Sequence, residues 1–172
     1  MLMEFDRPDR CVVGTIGQPG NRLFLIQVAQ GSRLAAVALE KQQARLLGVR
    51  VGEVLDRLAE LGHDVPEASD SADMGPLDAP VTVAFRAAAI GLAWDQERGR
   101  LVLELFSEEA DESGESSLLQ VLLTPSMARE FASRAELVVA SGRPACPACG
   151  QPVDPEGHIC PRSNGYRSPL FL

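Results

Sequence analysis

The sequence predicts an α+β fold: two β-β-β-α units forming a mainly antiparallel two-layer body over residues 1–142, and a small C-terminal unit over 143–172. Three observations predict it. Short apolar runs separated by turn chemistry give way, twice, to a stretch of helical period. A chain of 172 residues, 45% hydrophobic, has the length of one domain and enough apolar mass for a core. Three of the four cysteines and one of the two histidines crowd into residues 146–160.

Residues 11–17 (CVVGTIG) are apolar and β-branched, and Gln18-Pro19-Gly20-Asn21 turns the chain. Residues 22–29 (RLFLIQVA) form a second strand, Gly31-Ser32 a turn, and 33–39 (RLAAVAL) a third. From Glu40 the period lengthens, so that Ala44, Leu47, Val51, Val54, Leu55, Leu58 and Leu61 share one helical face. Gly48 and Gly52 each weaken this helix by up to about 1 kcal/mol relative to Ala, which predicts a bend or a split. Residues 63–80, rich in Pro, Asp and Glu, lack periodicity and read as a solvated, mobile connector.

The theme then recurs over 81–142. Residues 81–94 contain a strand, 95–99 (DQERG) a turn, 100–106 (RLVLELF) a second strand, and 118–123 (LLQVLL) a third beyond an acidic loop. Thr124 as N-cap and Pro125 at the first helical position open a helix with an apolar stripe of Met127, Ala128, Phe131, Ala135 and Val138. Gly142 and Pro144 end it. The repeated order is what an internal duplication would leave, although the halves 11–62 and 81–142 share little residue identity. Whether their sheets merge edge to edge or pack face to face is open at this level.

The tail holds Cys146-x-x-Cys149-Gly150 and, eight residues on, His158-x-Cys160. Four nitrogen and sulfur donors suit a closed tetrahedral Zn²⁺ site of structural type, with no carboxylate and no open position. The competing reading is a redox-active Cys146/Cys149 pair, but a Pro/Gly-rich tail is not the helix start beside a parallel strand that such pairs occupy. His158 has the least standard spacing of the four. Arg143 and Arg162 could offset the net −1 charge of three thiolates and Zn²⁺ by donating to sulfur. Cys11, alone in a strand, reads as a buried inert thiol, and His63 as the C-cap of a helix.

The net charge of −8 works against a sequence-independent grip on nucleic acid and against anionic membranes. The tail is the exception, with Arg143, Arg162 and Arg167 against Asp154 and Glu156, and Tyr166 among them. No run of 18 apolar residues exists, and the charged first ten residues do not read as a signal peptide; these point to the cytoplasm, where clustered cysteines mean metal more often than disulfide. Residues 14–20 (GTIGQPG) lack the G-K-[ST] ending of a phosphate loop, and no nucleophile elbow, H-E-x-x-H, kinase signature or calcium loop is present. Catalysis would have to rest on the carboxylates at 64–78 and 108–115.

Several stretches carry a family resemblance over almost the whole chain. They are Glu4-Phe5-Asp6-Arg7-Pro8-Asp9-Arg10, the 14–20 turn, Leu39-Glu40-Lys41, and the ending Cys146-Pro147-x-Cys149-Gly150…His158-x-Cys160-Pro161-Arg162…Asn164-Gly165-Tyr166-Arg167. In these the chain resembles an uncharacterised actinobacterial domain-of-unknown-function family of similar length, from which Gly48 and Gly52 depart by interrupting a helix. The arginine-dominated basic content, with Lys41 as sole lysine, fits a GC-rich bacterial source. The resemblance implies no activity and no catalytic residue. It implies as partners a phosphoglycerate-mutase-like phosphatase or a lipid-kinase-like protein, which accompany members of that family in their genomes. The expected function is therefore a non-catalytic, zinc-binding cytoplasmic adaptor or scaffold. The alternatives are a nucleic-acid-associated regulator using Arg143, Arg162, Tyr166 and Arg167, and an enzyme acting through carboxylates.

Overall fold

The computed structural model describes residues 1–67, 73–110, 116–154 and 156–162. The elements in order are β1 (Leu2–Phe5), β2 (Arg10–Ile16), β3 (Leu23–Gln30), β4 (Arg33–Leu39), α1 (Lys41–Glu60), β5 (Val83–Asp95), β6 (Arg100–Ala110), β7 (Ser116–Leu123) and α2 (Pro125–Ala140). The fold is mixed α+β, and all seven strands join one open sheet in the order β1-β7-β6-β5-β4-β3-β2.

The long strand β5 joins the two halves edge to edge. Its first residues, Val83 to Arg86, pair parallel with β4, and from Ala87 onward it pairs antiparallel with β6, with a register shift between. The other added pairing is β1 alongside β7, also parallel, a strand that the charged opening residues did not announce.

The sheet curls. A flat seven-stranded sheet would separate its edge strands by about 29 Å, at ~4.8 Å per spacing. Yet β1 and β2, the two edges, are joined through residues 6–9 alone, a reach of at most about 18 Å. Hydrogen bonds from Gln30 to Asp6 and from Asp9 to Ala29 hold this bridge against β3. The Arg33 guanidinium stacks 4.4 Å from the Phe5 ring centroid. The concave side is filled by one aliphatic cluster in which Val13, Ile26, Val37, Leu103, Leu105 and Val121 meet Leu47, Leu55 and Phe131 of the helices. Burying this face is the main stabilising term, at roughly 25 cal/mol per Å² of apolar surface.

Both helix starts follow their sequence signals. The Thr124 hydroxyl accepts from the Met127 amide at 3.1 Å, and the Gln43 side chain accepts from the Glu40 amide at 2.8 Å. At the end of α1, Gly62 (φ +87°) donates to Ala59 and His63 to Leu58, a Schellman cap with His63 as its last residue.

The predicted split in α1 is absent: the helix runs unbroken over 20 residues. Gly48 lies at the crossing with α2, where a Cβ would stand 3.0 Å from the Ala135 Cβ, so its missing side chain lets the two backbones approach. A Cβ on Gly52 would meet nothing within 4 Å. We expect Gly52→Ala to stabilise by about 0.5–1 kcal/mol, raising Tm by a few degrees. Gly48→Leu should lose about 1–3 kcal/mol by overpacking. Thermal melts decide, and a Gly48→Leu protein as stable as wild type would refute the close-approach role.

The connector is more than a tether. In the sheet formed by β2, β3 and β4, Val12, Leu25, Gln27, Ala36 and Ala38 alternate with the concave-facing residues and are nonetheless buried. Residues 73–80 provide part of their cover. Leu77 sits over Gly14, where a Cβ would stand 2.5 Å from a Leu77 methyl carbon. Gln27, 1% exposed, exchanges two hydrogen bonds with the Asp78 backbone at 2.8 and 2.7 Å. Arg10 binds the Asp73 carboxylate at 2.5 Å and the carbonyls of Gly75 and Pro76. From α2, Arg134 donates to the Asp73 carbonyl and to the Val13 carbonyl of edge strand β2.

Candidate metal centre

Residues 144–154 and 156–162 form two short turns that bring four donors together. In the first, Val153 donates to Pro144 and Cys146 to Gln151, a miniature hairpin whose tip is the Cys146-to-Cys149 turn. Gly150, at φ +74°, donates back to the Cys146 carbonyl, a conformation side-chain-bearing residues rarely adopt. In the second, Gly157 (φ +94°) donates to Asp154 and delivers His158 and Cys160. Gly150 was legible from its place after the second cysteine. Gly157 was not singled out, although a glycine three residues after an Asp is a turn signal.

The donor atoms of Cys146, Cys149, His158 and Cys160 all lie within 4.8 Å of one another. The Cys146 and Cys160 sulfurs are 3.7 Å apart, and the Cys149 sulfur is 3.3 Å from His158 Nε2. Sulfurs bound at about 2.3 Å on a tetrahedral centre stand about 3.8 Å apart, and sulfur and nitrogen about 3.6 Å apart. A disulfide would need about 2.05 Å, and all four cysteines are free thiols. The group therefore fits a metal ion, and His158, the least standard ligand by spacing, takes its place in it. Cys146 and Cys160 are buried and Cys149 and His158 half-buried, so the ligands are themselves the core of the unit.

The Gln151 backbone amide favours the Cys149 thiolate, but burial and the neighbouring Cys160 and Cys146 thiols outweigh it and raise the Cys149 pKa. Metal binding would require the Cys149 proton to leave and would reverse the preference for the thiol.

The arginines flanking the cluster have specific places. Arg143 pairs with Asp154 at 2.7 Å, bracing the two turns, and Arg162 donates to the Ala148 carbonyl inside the Cys146–Cys149 turn at 3.4 Å. Tyr166 and Arg167 lie outside the described residues. Residues 14–20 are the last residues of β2 and the start of the hairpin turn to β3, with no helix following. Burial pushes the Cys11 thiol up to about 12, which makes it inert at neutral pH.

Of the acidic loops, 68–72 and 111–115 lie outside the described residues. Asp73 and Asp78 are both paired with Arg10. The Arg10 guanidinium holds the Asp73 carboxyl below its ordinary range, the reverse of what a general acid requires. Arg134, buried at 4% exposure, was the residue most missed by sequence reasoning. An arginine interrupting the apolar face of α2, one residue before Ala135, was its only signal.

Among the described residues no helix is long and apolar enough to cross a membrane. No curated protein matches the chain. A family model does match, over residues 3–160, from the first strand to the last donor of the cysteine–histidine cluster. The chain thus belongs to the family described as "Protein of unknown function (DUF3090)".

Proposed function

We propose that this protein is a non-catalytic cytoplasmic adaptor whose C-terminal unit, clamped by Zn²⁺ on Cys146, Cys149, His158 and Cys160, presents a protein-contact surface. Three thiolates and one imidazole favour zinc among common divalent ions, and four protein donors leave no position for substrate. The observation that carries the reading is Ile159. It sits between two ligands and is 84% exposed, the most exposed large hydrophobic among the described residues. A metal clamp holds such a side chain in place before binding, which lowers the ordering cost of association.

The phosphatase-like and lipid-kinase-like proteins implied by the resemblance are the partners to look for first. The nucleic-acid alternative is weakened by the charge of −8 and by the Arg143–Asp154 pair. Tagged wild type and Ile159→Asp, both zinc-loaded, should be purified from the native cell and their companions identified by mass spectrometry. The adaptor reading expects a stoichiometric partner with wild type that is lost with Ile159→Asp. Identical companions for both, or none, would dismiss it.

A further inference from the structure

We infer that the cleft between the zinc-clamped tail and the body is a binding site for a small phosphorylated anion. The cleft has a volume of about 440 Å³ and is lined by Arg22, Lys41, Arg86 and Arg143, with Glu40 as its one carboxylate. Those four cations come from the residue before β3, the first turn of α1, β5 and the tail, and they converge on one concavity of a protein whose net charge is −8. Like charges gathered in this way repel; Glu40 and Asp154 offset two of them through Arg86 and Arg143, and an anion in the space between would offset the rest.

Lys41 makes the case specific. It is the sole lysine of the chain, and no hydrogen-bond or ion-pair partner falls to it among the described residues. It occupies the first position of α1, whose first turn has no acidic residue. A cation there opposes the helix dipole; the Glu40 carboxylate at the N-cap already takes the Gln43 amide, and an anion beside Lys41 would satisfy its ammonium and the amides at the start of the turn. Each arginine has only part of its five-donor capacity engaged within the chain: Arg22 on Ser141, Arg86 on Glu40, Arg143 on Asp154.

Two glycines make room for the cationic heads. A Cβ on Gly142 would stand 3.3 Å from Lys41 Nζ, and one on Gly20 would stand 3.1 Å from Arg143 Cζ. Arginine forks and a mobile ammonium match the tetrahedral oxyanion of a phosphate ester. The walls include Leu23, Phe24 and Leu39, so an organic group attached to the phosphate would have an apolar surface to lie on. The overall negative charge disfavours a membrane surface as the source, which leaves a soluble phosphate compound.

The test is calorimetric titration of the zinc-loaded full chain with pyrophosphate and with adenosine monophosphate at fixed ionic strength. One saturable site is expected for at least one of them. Lys41→Ala and Arg86→Ala should each weaken it about tenfold or more, in line with loss of one charge-assisted hydrogen bond, and Lys41→Arg should largely retain it. Arg50→Ala, remote on α1 and paired with Glu53, should leave it unchanged. No binding of either probe, or equal affinity in wild type and Lys41→Ala, overturns the site. Lys41-dependent co-sedimentation with phosphatidate vesicles, without soluble binding, overturns the assignment to a soluble ligand.

Discussion

Chelating the metal, or replacing Cys149 with Ser, should unfold residues 144–162 while the sheet and both helices remain intact. Among the described residues of that tail only Cys146 and Cys160 are buried, so the unit has no hydrophobic core apart from its own ligands. Its backbone bonds are those of two short turns, too few to offset the entropy of ordering some twenty residues at ~1–2 kcal/mol each. In the proposed clamp metal coordination supplies the difference, apparent zinc binding in finger peptides being worth about 10–16 kcal/mol. The expected readout is rapid proteolysis after residue 143 in chelated protein, with the melting transition of the body nearly unchanged. His158→Cys should keep the metal, because four thiolates also suit zinc, whereas His158→Ala should weaken it. A tail that resists protease without metal would refute the clamp, and so would freshly purified protein carrying well under one equivalent of zinc.

The largest expected loss in the body comes from Arg134→Met. The Arg134 Nε donates to the Val13 carbonyl at 2.6 Å, and its Nη1 reaches both the carbonyl and, at 3.5 Å, the carboxylate of Asp73. One side chain thus satisfies the open edge of β2 and pins the connector. Removing it strands the Val13 carbonyl and leaves Asp73 to Arg10, for which about 1–3 kcal/mol is expected, most of it from the carbonyl because the Asp73 side chain is 38% exposed. Arg134→Lys should recover only part, since an ammonium cannot fork between the two. Arg50→Ala, an exposed pair with Glu53, should change stability by less than about 0.5 kcal/mol. Urea unfolding at pH 7 ranks the three, and an Arg134→Met protein matching Arg50→Ala would refute the role.

Acid should act on the same latch. The Asp73 pKa is lowered, chiefly by its hydrogen bonds with Arg10, so its contribution is fully present above the unfolded carboxylate value of about 3.9. It fades as pH falls through the lower folded value. Asp73→Asn should therefore be less stable than wild type at neutral pH, with the gap narrowing below about pH 4.

Local chemistry made much of this molecule legible. The Thr124-Pro125 helix start, the α1 end at His63, the 18–21 and 31–32 turns and the four metal donors each depend on residues a few positions apart, and each is read directly from the chain. The connector shows where that legibility stops. Residues 73–80 have the composition of a solvated loop, and the clue to their docking lay elsewhere, in β3. Its run LFLIQV is apolar almost throughout where a half-exposed strand would alternate, and so required a cover on both faces. Gly48 misled for a related reason. Its cost to α1 is local and visible, while its benefit lies in Ala135, on a helix that begins 77 positions later at Pro125 and is met only after folding.

By itself, the sequence determined the secondary elements from β2 onward, their repeated order, and a tail with the donors for a metal ion, because period, capping and ligand spacing are short-range properties. Only the tertiary structure decided that the halves share one curled sheet, that β1 closes one edge beside β7, and that four cations converge beside the tail. Those outcomes rest on pairs such as Met1 with Ser116, 115 positions apart, and Arg134 with Val13, 121 apart. Such contacts form only when loop closure is repaid by burial of the whole core at once, and no local pattern encodes that balance.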